Sequence, residues 1–121
     1  MSLDLKPEVL VKPTLDYLTE VPPMVLRCTW VLGMDETGVW TSAWPATVWL
    51  DKCVQVYGTF DGADLVFEGS NDRQESLRLE HLRFAYPDVM PVGITPAFLW
   101  PKVLGGGEAT KLTVVLVGAR A

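Results

Sequence analysis

The sequence has few of the residue types on which metal binding, histidine-based catalysis and nucleic-acid binding depend. Its 121 residues include two cysteines, one histidine and ten lysines and arginines. Two cysteines without CxxC spacing do not form a zinc site. The basic residues are scattered and are outnumbered by 15 acidic residues, which gives a net charge of −5. Nucleic-acid binding needs clustered positive charge, so we expect no nucleic-acid partner.

Long hydrophobic runs are also missing. No apolar run approaches the roughly 20 residues that span a bilayer. The N-terminal sequence MSLDLKPEVL lacks the charged-then-apolar order of a secretion signal. We therefore expect no membrane partner.

Cys28 and Cys53 each lie in a strand-like run, where a free cysteine acts as a small hydrophobe. We expect two reduced thiols and an intracellular origin rather than a disulfide.

A hydrophobic period close to two is present from Met24 onward. In VLRCTWVL, four apolar residues fall on one face, namely Leu26, Cys28, Trp30 and Leu32. In KCVQVYG, Val54 and Val56 share a face. About seven to nine such runs follow one another at spacings of about ten residues, without a convincing long helix. This pattern predicts an all-β fold, an antiparallel β-sandwich or jelly roll, with a closed barrel as the alternative.

The N-terminal segment, residues 1–23, differs from the rest because four prolines interrupt it. Within it, PTLDYLTE is compatible with one or two turns of helix capped by Thr14. We predict an N-terminal arm over residues 1–23 and a β-sandwich domain over residues 24–121. The apolar residues of the arm leave two interpretations open. The arm lies on its own domain, or it packs on a neighbouring subunit.

Turn chemistry explains several residues that resemble ligand sites. Asp61-Gly62 is a strong hairpin signal because both residues tolerate positive φ, and Asn71-Asp72 is predicted to end a strand. These acids are too few for a calcium site. The three glycines at 105–107 predict a flexible hairpin loop, since a phosphate loop needs a following Lys-Ser or Lys-Thr.

The run KLTVVLVGA is apolar on both faces, which predicts a central strand covered on both sides or a strand at an interface.

The remaining chemistry is sparse. His81 shares its predicted face with Leu77 and Leu79, which favours a structural or interfacial histidine. No nucleophile has an obvious neighbouring base. We therefore expect no enzymatic activity, no catalytic residue, no metal and no cofactor.

Five tryptophans are the most distinctive side chains of the sequence. Trp30 is predicted to lie in the core. Trp40, Trp44 and Trp49 are the candidates for exposed or interfacial positions, where they would contact another protein or stack on a sugar ring.

Two stretches, VQVYGTFDGADLVFEGSNDRQESL and PAFLWPKVLGGGEATKLTVVLVGAR, give the chain a family resemblance over roughly residues 52–120. Together they resemble small virion proteins of tailed phages and prophages, of the head decoration or cement kind. The order of strands and turns is also similar to that of discoidin-like jelly rolls. Arg73 and Gln74 stand where that pattern has Gly and Trp, and LWPK stands where an Arg-flanked aromatic strand is common.

The resemblance implies a non-enzymatic structural protein that acts through protein–protein contacts. It would be made in the cytoplasm of a bacterial host and reside in the virion. Its implied partners are further copies of itself, as a homo-oligomer, and other virion proteins such as the major capsid protein. The alternative that the discoidin-like order implies is a carbohydrate-binding module of a phage tail or fibre.

Overall fold

Alternation of apolar and polar residues produces strands throughout the computed structural model, which describes residues 9–21, 24–39, 50–93 and 96–120. Within these ranges the chain forms ten β-strands and no helix. The strands are β1 (Val9–Val11), β2 (Thr14–Thr19), β3 (Met24–Gly33), β4 (Glu36–Gly38), β5 (Leu50–Thr59), β6 (Asp64–Ser70), β7 (Leu77–Phe84), β8 (Asp88–Val92), β9 (Phe98–Leu104) and β10 (Lys111–Arg120). The all-β prediction is confirmed, although the described strands outnumber the predicted seven to nine.

Two five-stranded sheets face each other. Sheet A has the order β1-β4-β9-β6-β7, and sheet B has the order β2-β3-β10-β5-β8. The described pairings are antiparallel except that of β1 with β4, which is parallel. This arrangement is consistent with the predicted β-sandwich.

The core lies between the two sheets. Its largest side chains are almost completely buried: Leu26, Trp30 and Leu32 of β3, Leu112 and Leu116 of β10, and Leu65, Phe67, Leu82, Phe84 and Leu99 of sheet A. Each contributes roughly 1.5–3 kcal/mol through the apolar area removed from water. The Trp30 indole Nε1 donates a hydrogen bond of 3.1 Å to the carbonyl oxygen of Val39. The predicted inner faces of β3 and β5 are confirmed, because Cys28, Val54 and Val56 are also fully buried.

β10 is the central strand of sheet B, between β3 and β5. Leu112, Val114 and Leu116 are fully buried on its inner face. Val115 and Val117, on the outer face, are only half-buried. The central position agrees with the apolar sequence of this strand, but its outer face retains access to solvent.

Two turns that were predicted to close hairpins instead carry the chain between the sheets. Asp61 and Gly62 do adopt positive φ, 47° and 82°. However, β5 lies in sheet B and β6 in sheet A, so the hairpin prediction is wrong. The loop 105–110 likewise joins β9 of sheet A to β10 of sheet B. A tight turn and a sheet-to-sheet connection use the same local chemistry, and only the long-range pairing distinguishes them.

These two connections are bound to each other. The Asp61 Oδ2 accepts a hydrogen bond of 3.3 Å from the backbone N–H of Ala109. The Thr110 hydroxyl donates to the Phe60 carbonyl at 3.1 Å and accepts from the Gly107 N–H at 2.9 Å. Asp61 therefore fastens one end of the sandwich.

Residues 9–21 of the N-terminal segment supply an edge strand to each sheet. β1 pairs with β4, and β2 pairs with β3 from Thr14 opposite Thr29 to Thr19 opposite Val25. The helical interpretation of PTLDYLTE is wrong. Pairing with β3 determines the conformation here, as tertiary context commonly does for a segment of weak local preference.

β7 departs from simple alternation. Simple alternation places Leu77 on one face with Leu79 and His81, but Leu77 is 75% exposed, and His81 is exposed as well. The buried residues of this strand are Leu82 and Phe84. A register shift against β6 in the middle of the strand changes which residues face the core. His81 is therefore a surface histidine.

A proline such as Pro101 is typical of an edge strand or a bulge, yet β9 lies inside sheet A between β4 and β6. Among the described residues, β4 pairs with β9 at a single position, Thr37 opposite Lys102. Pro101 precedes that pair, on a flank where the described strands form little of the hydrogen-bonded ladder, and a proline is tolerated at such a position.

Candidate binding groove on the outer face of sheet A

The predicted contact residues Trp40, Trp44 and Trp49 lie outside the described residues, so their assignment remains a prediction. The sequence interpretation did not single out Trp100, which the structure places on the outer face of sheet A. Trp100 lies near the middle of β9 and is half-buried. Its neighbours Leu99 and Pro101 are buried on the inner side of the strand. The signal for this orientation was the alternation within FLWPKVL, which puts Trp100 on the same face as Lys102.

Sheet register gathers polar side chains around this indole. Glu68 of β6 is directly opposite Trp100 in the antiparallel pair. Lys102 is two residues further along β9 and is opposite Thr37 of β4. Residues at such positions share one face of a sheet and lie close enough for their side chains to interact. Glu68 is also within 4.0 Å of the Arg78 guanidinium on β7.

Two depressions meet at Trp100 and Ser76, and we refer to them together as the Trp100 groove. The larger, of about 450 Å³, is also lined by Leu10, Thr37, Val39, Glu68 and Lys102. The smaller, of about 270 Å³, is also lined by Ser70, Arg73, Gln74 and Glu75. Among the described lining residues, each depression therefore contains one acidic and one basic side chain besides its neutral residues. The groove combines an aromatic surface with hydrogen-bonding groups, and the charges of its described residues balance.

Thr37 is the least satisfied polar residue of the groove. Its side chain is buried, with 5% exposure, and its Oγ1 has no hydrogen-bond partner. Among the residues that the structure describes, no other buried side-chain oxygen or nitrogen is in this state. Leaving such a group unpaired costs roughly 1–3 kcal/mol. A rearrangement that gives this hydroxyl a hydrogen-bond partner would therefore be favourable.

The wall of the smaller depression is a turn that its own side chains hold in place. The Asp72 Oδ1 accepts hydrogen bonds from the backbone N–H groups of Gln74 at 2.8 Å and Glu75 at 3.2 Å. It also accepts one from the Ser70 hydroxyl at 3.1 Å. These bonds, that from Gln74 first, lower the pKa of Asp72 below its ordinary value because they favour the carboxylate. As predicted, Asn71 and Asp72 follow the end of a strand.

Two further contacts fix this turn to the start of β9 and to the residue before it. The Asn71 Oδ1 accepts a hydrogen bond of 2.8 Å from the Ala97 backbone N–H. The Arg73 guanidinium lies over the Phe98 ring, 5.6 Å from its centroid, which is a cation–π distance. The wall and the strand that carries Trp100 are therefore joined.

The outer face of sheet B is a second candidate surface of opposite character. Its outward residues are mainly apolar or uncharged, and they include Val25, Thr29 and Val31 of β3, Val115 and Val117 of β10, Cys53 and Tyr57 of β5, and Val89 of β8. Val31, Tyr57 and Val89 are 47%, 46% and 52% exposed. Arg27 and Asp16 neutralise each other at 3.3 Å near the β2 edge. We call this surface the apolar face of sheet B.

No group of three or more histidine, cysteine or acidic side chains arranged to hold a metal ion occurs among the described residues. In the same part of the chain, no helix is long and apolar enough to cross a membrane. The features that the structure does present are the groove, with stacking and hydrogen-bonding groups, and the apolar face, with uncharged contact area.

Comparison with known proteins adds little to this description. No family model matches the chain, and no curated protein matches it. Among solved structures, it is similar to Peruvianin-I, a cysteine peptidase from Thevetia peruviana latex, with 16% sequence identity and a TM-score of 0.42. That alignment covers 89% of this chain and 61% of the peptidase chain. A likeness at this level has no bearing on activity.

Proposed function

We propose that this chain is a non-enzymatic structural protein of a tailed-phage or prophage particle. It acts through protein–protein contacts, as a capsid decoration or cement protein or as another virion component. The apolar face of sheet B is the observation that carries the proposal, and the resemblance of residues 52–120 to small virion proteins supports the class. The protein is made in the host cytoplasm and resides in the virion.

The apolar face offers contact area at the middle of a sheet. A row of registered residues crosses β3, β10 and β5, from Thr29 through Val115 to Gln55. Parallel to it, Val117 lies beside Cys53. Buried apolar area contributes roughly 25 cal/mol per Å² before the costs of association are subtracted. A hydrogen-bonded sheet surface of this kind presents its contacts with little loss of backbone freedom.

We take a second copy of this chain as the first partner, because charge opposes self-association least at this face. The whole chain carries a net charge of −5, so two copies repel each other on average. That repulsion is smallest where few charges are present and where Arg27 and Asp16 already form a pair. Face-to-face association of this surface with itself would give a two-fold symmetric contact.

In a virion, the chain would also contact other proteins of the particle. Subunits such as the major capsid protein would be contacted by other parts of the chain. On a symmetric shell, many weak contacts add through multivalency, so no single contact needs high affinity.

Self-association is tested by size exclusion with light scattering on the wild type and on Val115→Glu. We expect an oligomer for the wild type and a monomer for the variant, because the substitution puts a charge at the centre of the face. Leu77→Glu, on a strand of sheet A where the side chain is 75% exposed, is the matched control and should remain oligomeric. A monomeric wild type, or equal dissociation by both variants, would exclude this face as the self-contact.

The virion assignment has a separate test, mass spectrometry of purified particles from the source phage. We expect the chain in stoichiometric amounts relative to the major capsid protein. Its absence from the particles would refute the structural role.

A further inference from the structure

We infer that the Trp100 groove binds a neutral saccharide, with a sugar ring stacked on the Trp100 indole. This inference goes beyond the structural role and does not depend on it. A particle component with such a groove would also attach to a glycan. The proposal rests on the position of Trp100, the groups around it and the unpaired hydroxyl of Thr37.

Trp100 lies on a scaffold suited to stacking. It is held on a strand inside a five-stranded sheet, and its buried neighbour Leu99 is anchored in the core. Its ring is half-buried, so part of it remains open to the groove. One face of a pyranose ring presents C–H groups, which pack on an indole, while the rim presents hydroxyls. The larger depression, at about 450 Å³, is within the usual size range of ligand pockets.

The polar groups match a hydroxyl-rich ligand. A sugar hydroxyl donates and accepts at once, so adjacent hydroxyls can pair with the Glu68 carboxylate and the Lys102 ammonium together. Ser76 adds a hydroxyl where the two depressions meet. Because acidic and basic side chains balance among the described residues of each depression, these residues favour no ligand charge, which points to a neutral sugar.

Thr37 supplies a specific reason for binding. Its Oγ1 is unpaired in the free protein, although the residue lines the larger depression. A ligand hydroxyl that reaches this oxygen after a small rotation of the threonine side chain would satisfy both groups. Replacing Thr37 with valine removes the hydroxyl at nearly constant shape. This substitution therefore separates binding from stability.

The wall of the smaller depression is already formed without ligand. Asp72 holds the turn through hydrogen bonds to Gln74 and Glu75, and Asn71 ties it to the chain before β9. Little additional ordering is needed when a second sugar unit extends from Trp100 toward Ser70. Preorganisation of this kind lowers the cost of binding.

The experiment is a glycan array of neutral and acidic oligosaccharides probed with the full chain, followed by calorimetric titration of the best neutral ligand. We expect binding to neutral glycans. Trp100→Ala should weaken the affinity by about tenfold or more, and Thr37→Val by about threefold. Thr37→Val should unfold at the same urea concentration as the wild type or a higher one. Tyr57→Ala, which removes a half-exposed aromatic from the apolar face of sheet B, is the control and should bind normally.

Three results would overturn the proposal. They are no neutral glycan bound at millimolar concentration, full affinity retained by both groove variants, or binding restricted to acidic glycans. If Trp100→Ala fails to fold, Trp100→Leu and Thr37→Val give the same comparison. Failure here leaves the particle assignment intact, because that assignment is tested by detecting the chain in virions.

Discussion

The outer faces of the two sheets differ far more than their inner faces do. Both inner faces are mainly apolar and largely buried, although Lys52 of β5 is a buried charged residue on the inner side of sheet B. The outer face of sheet A carries ion pairs, including Arg83 with Asp64 and Arg78 with Glu68, around a groove. The outer face of sheet B carries mostly valine, threonine and other uncharged side chains. The inner faces determine how the sheets pack, whereas the outer faces can diverge and acquire separate roles.

The two cysteines provide the sharpest probe of the difference between an inner and an outer face. Cys28 is buried between the sheets, and burial raises the pKa of its thiol to about 12. Cys53 is exposed on the apolar face of sheet B. At pH 8, roughly one Cys28 thiol in ten thousand would be ionised, since this pH is about four units below its pKa. We expect iodoacetamide to modify Cys53 at least a hundredfold faster.

The measurement is peptide mass spectrometry of a time course at low protein concentration, where the apolar face is not occupied by a second copy. In concentrated urea, both thiols should react at similar rates. Equal rates in the native protein would mean that Cys28 is accessible and that the sandwich opens readily.

Substitutions at neighbouring residues of β10 compare the inner and outer faces through their effects on the free energy of unfolding. Leu116 is fully buried, and Leu116→Ala should lower the free energy of unfolding by about 2–5 kcal/mol through lost burial and a cavity. Val115→Ala, one residue away on the outer face, should cost less than about 1 kcal/mol in the monomer. Urea unfolding followed by tryptophan fluorescence checks both values. Similar losses for the two variants would contradict the sidedness of this strand.

Ion pairs on the two outer faces should contribute little. Arg83 donates to Asp64 from Nε at 3.1 Å on sheet A, and Arg27 reaches Asp16 at 3.3 Å on sheet B. These side chains are partly exposed, so each pair contributes about 0.2–1 kcal/mol. Double-mutant cycles with alanine, at low and high salt, measure the two coupling energies. A coupling well above this range for Arg83 and Asp64 would indicate that the sheet A pair orders more than two side chains.

The smallest predicted effect is the pH response of the wall of the Trp100 groove. The folded pKa of Asp72 is depressed, so its stabilisation of the turn is complete above the ordinary aspartate pKa. The stabilisation is lost as the pH falls through the lower, folded value. An NMR titration of carboxyl resonances should give Asp72 a midpoint below that of an unfolded aspartate. In Ser70→Ala the midpoint should rise toward the ordinary value. An unshifted Asp72 in the wild type would show that the turn is not formed in solution.

Sequence periodicity predicted the inner faces of β3 and β5 because burial on one side of a strand imposes alternation. Leu26, Cys28 and Trp30 follow this rule without exception. The rule failed on β7, where the register shift moved the buried positions to Leu82 and Phe84. A bulge of this kind depends on the partner strand, so the strand's own sequence does not reveal it.

For a related reason, strand pairing could not be predicted from the sequence. Asp61-Gly62 specifies a tight turn, and the turn is present, but the two strands that it joins belong to different sheets. The groove was equally hidden. Thr37, Glu68 and Trp100 come from three separate strands, and only the order β4-β9-β6 brings them together. The alternation in β9 indicated that Trp100 faces outward. Its polar neighbours, in contrast, can be identified only from the order of the strands in the sheet.

The central position of β10 has a consequence for how the protein reaches its native state. β10 follows every other described strand in sequence, yet it is the central strand of sheet B and pairs with both β3 and β5. Asp61 and Ala109 are 48 positions apart, so the bonds that fasten this end of the sandwich close over a long stretch of chain. Contacts of such separation slow folding because a large loop must close first. On the ribosome, β3 and β5 must remain without their shared neighbour until residues 111–120 have emerged, so sheet B cannot be completed before β10 has been synthesised.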